Sequence, residues 1–211
     1  MGVVALLGGG EFRADGDNEA ITRRLLAASG TDQVLVLPTA DAFEHPLIAV
    51  EAAVAWFTRL GATATGLMVL SRGDALDEAH AATVRASRFV YLVGDSPLHL
   101  RSVMKGTPVW AAIQHVAGAA VLAAAGPAAT AMCDPMTDPR GGAFTLGLGL
   151  VKPLALVVQA ETWSHDRLHR TRQLSSGFPV ATLPSGTALV CTDGRWDTYG
   201  TGVEVTGALP G

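Results

Sequence analysis

The chain has 211 residues, with 15 Lys or Arg against 19 Asp or Glu, a formal net charge of −4, and 49% apolar against 16% charged residues. That balance excludes a disordered chain, and the scattered cations, clustered locally only around Arg167, Arg170 and Arg172, leave no footprint for nucleic acid. Apolar runs are broken by glycine or charge before membrane-spanning length, the first ten residues lack a basic leader, and Cys133 and Cys191 stand far apart, so a soluble cytoplasmic protein with no membrane partner is expected.

In chain order, the apolar run at 3–7 reads as a strand that closes on Gly8, Gly9, Gly10 and Glu11. Apolar residues at helical spacing follow at 18–28, then a strand at 34–37 ending in Pro-Thr-Ala-Asp, and a helix at 44–60. A strand is expected at 66–70, a helix at 74–86 with Asp74 as its N-cap, and a strand at 89–93 that runs into Gly94, Asp95, Ser96 and Pro97. Helices at 98–105 and 109–117 precede strands at 119–123, 154–158 and 187–191, and the tail 195–206 reads as an edge hairpin turning at Gly200 or Gly202. No linker divides these elements, so one domain over 1–211 is expected. The alternation predicts an α/β fold, a Rossmann-like three-layer sandwich with a mostly parallel sheet. Ligands bind such sheets at the carboxyl ends of the strands. The loops at 8–11, 38–41, 94–97, 125–128 and 159–163 are therefore expected to ring one site.

The order of these pieces resembles the cyanophycinase and aspartyl dipeptidase (dipeptidase E-like) family of serine peptidases, which shares the class I glutamine amidotransferase-like fold. The likeness spans nearly the whole chain: a strand with a triple glycine, a strand ending in P-T-A, and G-D-S-P-L-H-L (Gly94 to Leu100) where the family has G-G-D/N-Q with L-x-L. The family's nucleophile elbow, A-G-x-S-A-G-A, corresponds to A-A-A-G-P-A-A, which puts Gly126 at the serine and Pro127 directly after it. Proline has no N–H, and in these enzymes the N–H at that position is one of two oxyanion donors. The family's D-x-H-F-x-x-R-x-R-x-x-R matches Arg167 and Arg170 but puts Glu161 at the histidine. Its G-I-D-E-x-T-A-L becomes T-L-P-S-G-T-A-L, with Pro184 and Ser185 where the carboxylates stand. A serine triad needs nucleophile, base and orienter together. The resemblance therefore implies a peptidase-family protein without serine-hydrolase activity, with a crevice that retains a peptide-like or acidic small ligand or a partner. Gly9, Gly10, Gly94, Asp95, Ser96, Gly126, Glu161 and Trp163 are its expected binding residues. Homodimerisation is implied by the same analogy.

The alternative is an active hydrolase or another enzyme whose chemistry has moved to Ser96, Glu161 or His165. Ser96 before Pro97 also reads as a helix cap. Glu161, His165 and His169, at i, i+4 and i+8, would form a divalent-metal stripe if one helix carried all three; otherwise the histidines lie on a solvated face. Asp134 and Asp138 in D-P-M-T-D-P read as a turn. Cys133, seven residues beyond Gly126, would lie about 10 Å along a helix and reads as a small buried apolar residue. The triple glycine lacks the G-x-G-x-x-G spacing and would present Glu11 to a pyrophosphate, so no nucleotide cofactor is expected, nor any metal.

Overall fold

The computed structural model describes residues 2–14, 16–175 and 177–211. The chain runs β1 (Val3–Leu7), α1 (Asn18–Ser29), β2 (Gln33–Leu37), α2 (Pro46–Arg59), β3 (Thr63–Gly66), α3 (Arg72–Leu76), α4 (Glu78–Ala86) and β4 (Phe89–Leu92). It continues through α5 (Pro97–Met104), α6 (Pro108–Ala119), β5 (Val121–Ala125), α7 (Pro127–Met132), β6 (Met136–Thr137), β7 (Phe144–Thr145) and β8 (Ala155–Val158). The last elements are α8 (His165–Leu174), β9 (Val180–Leu183), β10 (Ala188–Thr192), β11 (Arg195–Tyr199) and β12 (Glu204–Thr206).

Among the described residues, seven strands form the main sheet in the order β11-β10-β1-β5-β4-β2-β3. The five from β1 to β3 in that order are parallel, and β10 and β11 add an antiparallel edge. Helical crossovers cover such a sheet on both sides, so its strands must be apolar on both faces. Period-two alternation then sorts them. Leu6, Leu35, Leu37, Val90, Leu92 and Leu122 pack on one face with residues of α4, α5, α6 and α7. Ala5, Leu7, Val36, Phe89, Tyr91 and Ala123 pack on the other, against Ile21 and Leu25 of α1 and Trp56 and Phe57 of α2. This is the three-layer arrangement the alternation predicts. Helix α2 lies close on β3, where a Cβ on Gly66 would sit 2.7 Å from both methyl groups of Val50.

Several boundaries differ from the expected ones, each for a physical reason. The strand expected at 66–70 is β3, three residues earlier; after Gly66 the chain leaves the sheet and buries Val69 instead in the helical layer. The helix expected at 74–86 is two helices. Ser71, not Asp74, is the N-cap of the first, and Asp74 closes a capping box on it, while Asp77 breaks the run and caps α4 through the Ala79 amide. The strand expected at 119–123 is β5, because α6 continues to Ala119 and an unbroken Ala-rich run conceals where helix gives way to strand. β8 stays out of the main sheet and pairs with β9, which itself pairs with β12. The tail is not one hairpin: β10 and β11 turn through Asp193 and Gly194, both at positive φ, and β12 joins the smaller sheet. No helix of the described residues is long and apolar enough to cross a membrane.

The layer under α2 is held by aromatic packing. Phe57 is fully buried, with the rings of Phe12, Phe89 and Tyr91 at centroid distances of 6.2, 6.0 and 5.9 Å. Phe57→Ala is expected to destabilise the fold by about 3–5 kcal/mol, read by urea denaturation. A loss below about 1 kcal/mol would mean that this layer does not anchor α2 to the sheet.

Candidate functional site

The turn from β5 into α7 is sharp. Gly126 adopts φ 56° and ψ −141°, a backbone region that side chains oppose and glycine accepts. Its N–H donates to the Leu7 carbonyl at 3.1 Å, which ties the bend to the end of β1. Pro127 takes the first helical position and brings no N–H, and the next amide, on Ala128, donates to the Gly94 carbonyl at 3.1 Å. A Cβ on Gly126 would lie 3.7 Å from both Gln159 Nε2 and Glu11 Oε2.

Beside this bend opens a crevice of about 460 Å³, lined by Gly10, Glu11, Phe12, Arg13, Asp41, Ala49, Val93, Asp95, Gln159, Glu161, Thr162 and Ser185. Its walls come from the carboxyl ends of β1, β4 and β8, from the loop after β2, and from the N-terminal end of α2. Four carboxylates face one guanidinium. Burial pushes the Glu11 carboxyl above its usual range; its own backbone N–H opposes the shift, and Asp95 and Asp41 add to it. Asp41 is also raised, by burial first, against the Asp95 amide that donates to its Oδ1 at 2.9 Å. Glu161 goes the other way: burial alone would raise it, but hydrogen bonds from the Ser185 hydroxyl, its own amide and the Ser185 amide prevail and lower it. The Ser185 amide lies 3.0 Å from Glu161 Oε2.

Of the residues expected from sequence, Gly10, Asp95 and Glu161 line this crevice. Gly9 lies under the Gln159 side chain, Gly126 faces the same amide, and Gly94 packs on the Asp41 backbone. Ser96 caps α5 by position, without a side-chain hydrogen bond, and its N–H goes to the Ala40 carbonyl at 2.9 Å. Trp163 lines a different cavity, of about 150 Å³, where the Arg167 guanidinium stacks 3.4 Å from its ring centre and Arg167 donates to the Pro139 carbonyl.

The metal stripe does not form. Glu161 sits on a short 3-10 turn, Ala160–Thr162, while His165 and His169 stack on exposed α8 with their ring centres 6.5 Å apart. Among the described residues no group of three or more His, Cys, Asp or Glu could hold a metal ion. Cys133 follows α7 in extended backbone instead of lying on the helix, is fully buried, and burial raises its thiol.

Gln159, like Glu11, Arg13 and Asp41, is a crevice residue outside the expected binding set. Gln159 follows β8 at φ 49° and ψ 44°, a left-handed conformation unusual for a residue with a Cβ, and is held there by its N–H to the Gly8 carbonyl at 2.7 Å and by Thr162 Oγ1 on its own carbonyl at 2.7 Å. No local sequence signal marks a glutamine for that backbone. Asp41 stood in an expected loop and Ser185 at a position aligned with the family's carboxylates, but their contact partners depend on strand order.

No family model and no curated protein matches the chain. Solved structures do. A peptidase from an acI-B1 Actinobacterium superposes with a TM-score of 0.82 at 22% identity, covering 97% of this chain and 89% of that one. A candidate peptidase E protein from Listeria monocytogenes EGD-e superposes with a TM-score of 0.70 at 14% identity, covering 96% of this chain and all of that one. The chain thus shares the mixed α/β fold of these proteins.

Because its carboxyl is raised in the fold, Glu11 favours the folded state below about pH 4 and weakens it as pH climbs through the folded-state value. Glu11→Gln is therefore expected to raise Tm near pH 7 and leave it unchanged near pH 3, read by thermal denaturation. An equal rise at both pH values would assign the effect to packing, not charge.

Proposed function

We propose that the chain is a dipeptidase E and cyanophycinase-like protein that has lost serine-hydrolase activity and keeps its crevice for binding. The observation that carries this reading is the bend at Gly126, where a hydroxyl nucleophile would stand and where glycine is followed by an imino acid. An acyl transfer there would need an attacking oxygen, a base to take its proton, and amide donors for the developing oxyanion. Position 126 has no side chain, Pro127 has no donor, and the Ala128 donor is taken by a backbone carbonyl. The positions aligned with base and orienter hold Glu161 and Ser185, bonded with the hydroxyl donating to the carboxylate. A carboxylate engaged in that way is an acceptor with no imidazole behind it.

Relocated catalysis finds less support. Among the described residues the Ser96 side chain makes no capping hydrogen bond, and His165 stacks on His169 on an exposed helix outside the crevice lining.

The lining also bears on the ligand. With Glu11, Asp41, Asp95 and Glu161 against Arg13, charge complementarity favours a cationic or amine-bearing peptide-like ligand over an acidic one. The two free cysteines fit a reducing, cytoplasmic setting.

Incubation with a fluorophosphonate probe is expected to leave the protein unlabelled. Gly126→Ser is expected to stay unlabelled too, because one hydroxyl restores neither base nor oxyanion donor, and to lose about 1–3 kcal/mol of stability from the backbone it must adopt. Labelling of the parent chain would overturn the proposal.

A further inference from the structure

The rim of the crevice has a feature that the loss of catalysis does not explain. Phe43, Leu47 and Ile48 are 83%, 63% and 59% exposed, three large apolar side chains within six consecutive positions. Single exposed apolar residues are ordinary, but a contiguous group marks a contact surface. The group is held in place: Phe43 packs edge-on against His99 with ring centres 4.6 Å apart, and the His99 ring is fixed by a 2.9 Å contact with the Leu70 carbonyl. It adjoins crevice residues in the chain: Asp41, two residues before Phe43, and Ala49, directly after Ile48, both line the cavity.

Charge identifies what fits there. Between Arg24 and Arg59 the sequence has no lysine or arginine, and on the crevice side of β2 it holds Asp41, Glu44 and Glu51. Glu44 and Glu51 are exposed beside the apolar group, and the crevice next to it carries four carboxylates. With four carboxylates against the single Arg13 guanidinium, the crevice favours a cationic segment over an acidic one.

We propose that Phe43, Leu47 and Ile48 form a docking surface for a peptide segment that lays apolar side chains on this rim and places a lysine or arginine in the adjoining acidic crevice. This deepens the binding role proposed above and rests on it. Burial of two or three apolar side chains supplies affinity, and the carboxylates supply selection by sign.

The test is fluorescence anisotropy of the full chain with a fluorescein-labelled Leu-Arg-Phe-Leu peptide. Two controls replace the peptide's arginine by glutamate, or its apolar residues by serine. The parent protein is expected to bind the first peptide, more weakly as salt rises, and neither control. Phe43→Ser and Ile48→Ser are each expected to weaken binding about tenfold. Two exposed positions are tested so that a folding failure at one still leaves the other to decide, and circular dichroism checks each. No binding, or equal binding of the glutamate peptide, would overturn the proposal. So would light scattering that shows a dimer dissociated by Phe43→Ser, since a second copy would then cover the surface. Peptide binding insensitive to both variants would refute the rim alone and leave the crevice standing, whereas failure of the non-hydrolytic reading would appear separately as fluorophosphonate labelling.

Discussion

The hydrogen bond from the Gly126 amide to the Leu7 carbonyl fixes the geometry on which the site depends. It extends the parallel pairing of β5 with β1 by one step beyond the strand and forces the chain to reverse immediately into α7. The resulting φ and ψ are tolerated by glycine and resisted by any residue with a Cβ. A hydrolase accepts that strain to lift a nucleophile over the sheet. Here the same bend carries no strain of that kind, and the proline after it, already fixed near helical φ, starts the helix well. At Gly126 this geometry is a comfortable strand-to-helix turn.

Around that turn the acidic groups divide the work. Glu161 is committed to Ser185 and joins the smaller sheet's β8 end to the segment after β9. Asp41 accepts from the Asp95 amide and joins the loops after β2 and β4. Glu11, beside the bend, shows no such cross-link among the described residues, and burial raises its carboxyl. Carboxylates at the carboxyl ends of parallel strands, with one guanidinium among them, give the crevice a net negative charge.

Much of the fold was legible because strand-length apolar runs at 3–7, 34–37 and 89–93 coincide with β1, β2 and β4 nearly residue for residue. Reading failed where periodicity is uninformative. The stretch through Ala119 and Ala125 is apolar on every face whether helical or extended, so its boundary was displaced by two residues. β9 is four residues long after Pro179 and has too little pattern to stand out. The Asp193-Gly194 turn did carry a strong hairpin signal, and weight given to Gly200 and Gly202 obscured it. At the site, the loops could be listed from sequence, but not which side chains meet. Trp163 belongs with Arg167 in a neighbouring cavity, and Gln159 reaches the bend because its backbone is left-handed, neither of which is written in residue type.

Gly66 has a reach beyond its own strand. With no side chain there, Val50 settles directly on the sheet, and its helix also carries Ala49 on the crevice wall and the apolar pair Leu47 and Ile48 on the rim. The absent side chain therefore lets α2, which bears Ala49 of the crevice wall, rest close against the sheet edge. A bulkier residue at that edge would lever the whole helix outward and retune the entrance from the far side of the packing layer, without touching any group that meets a ligand.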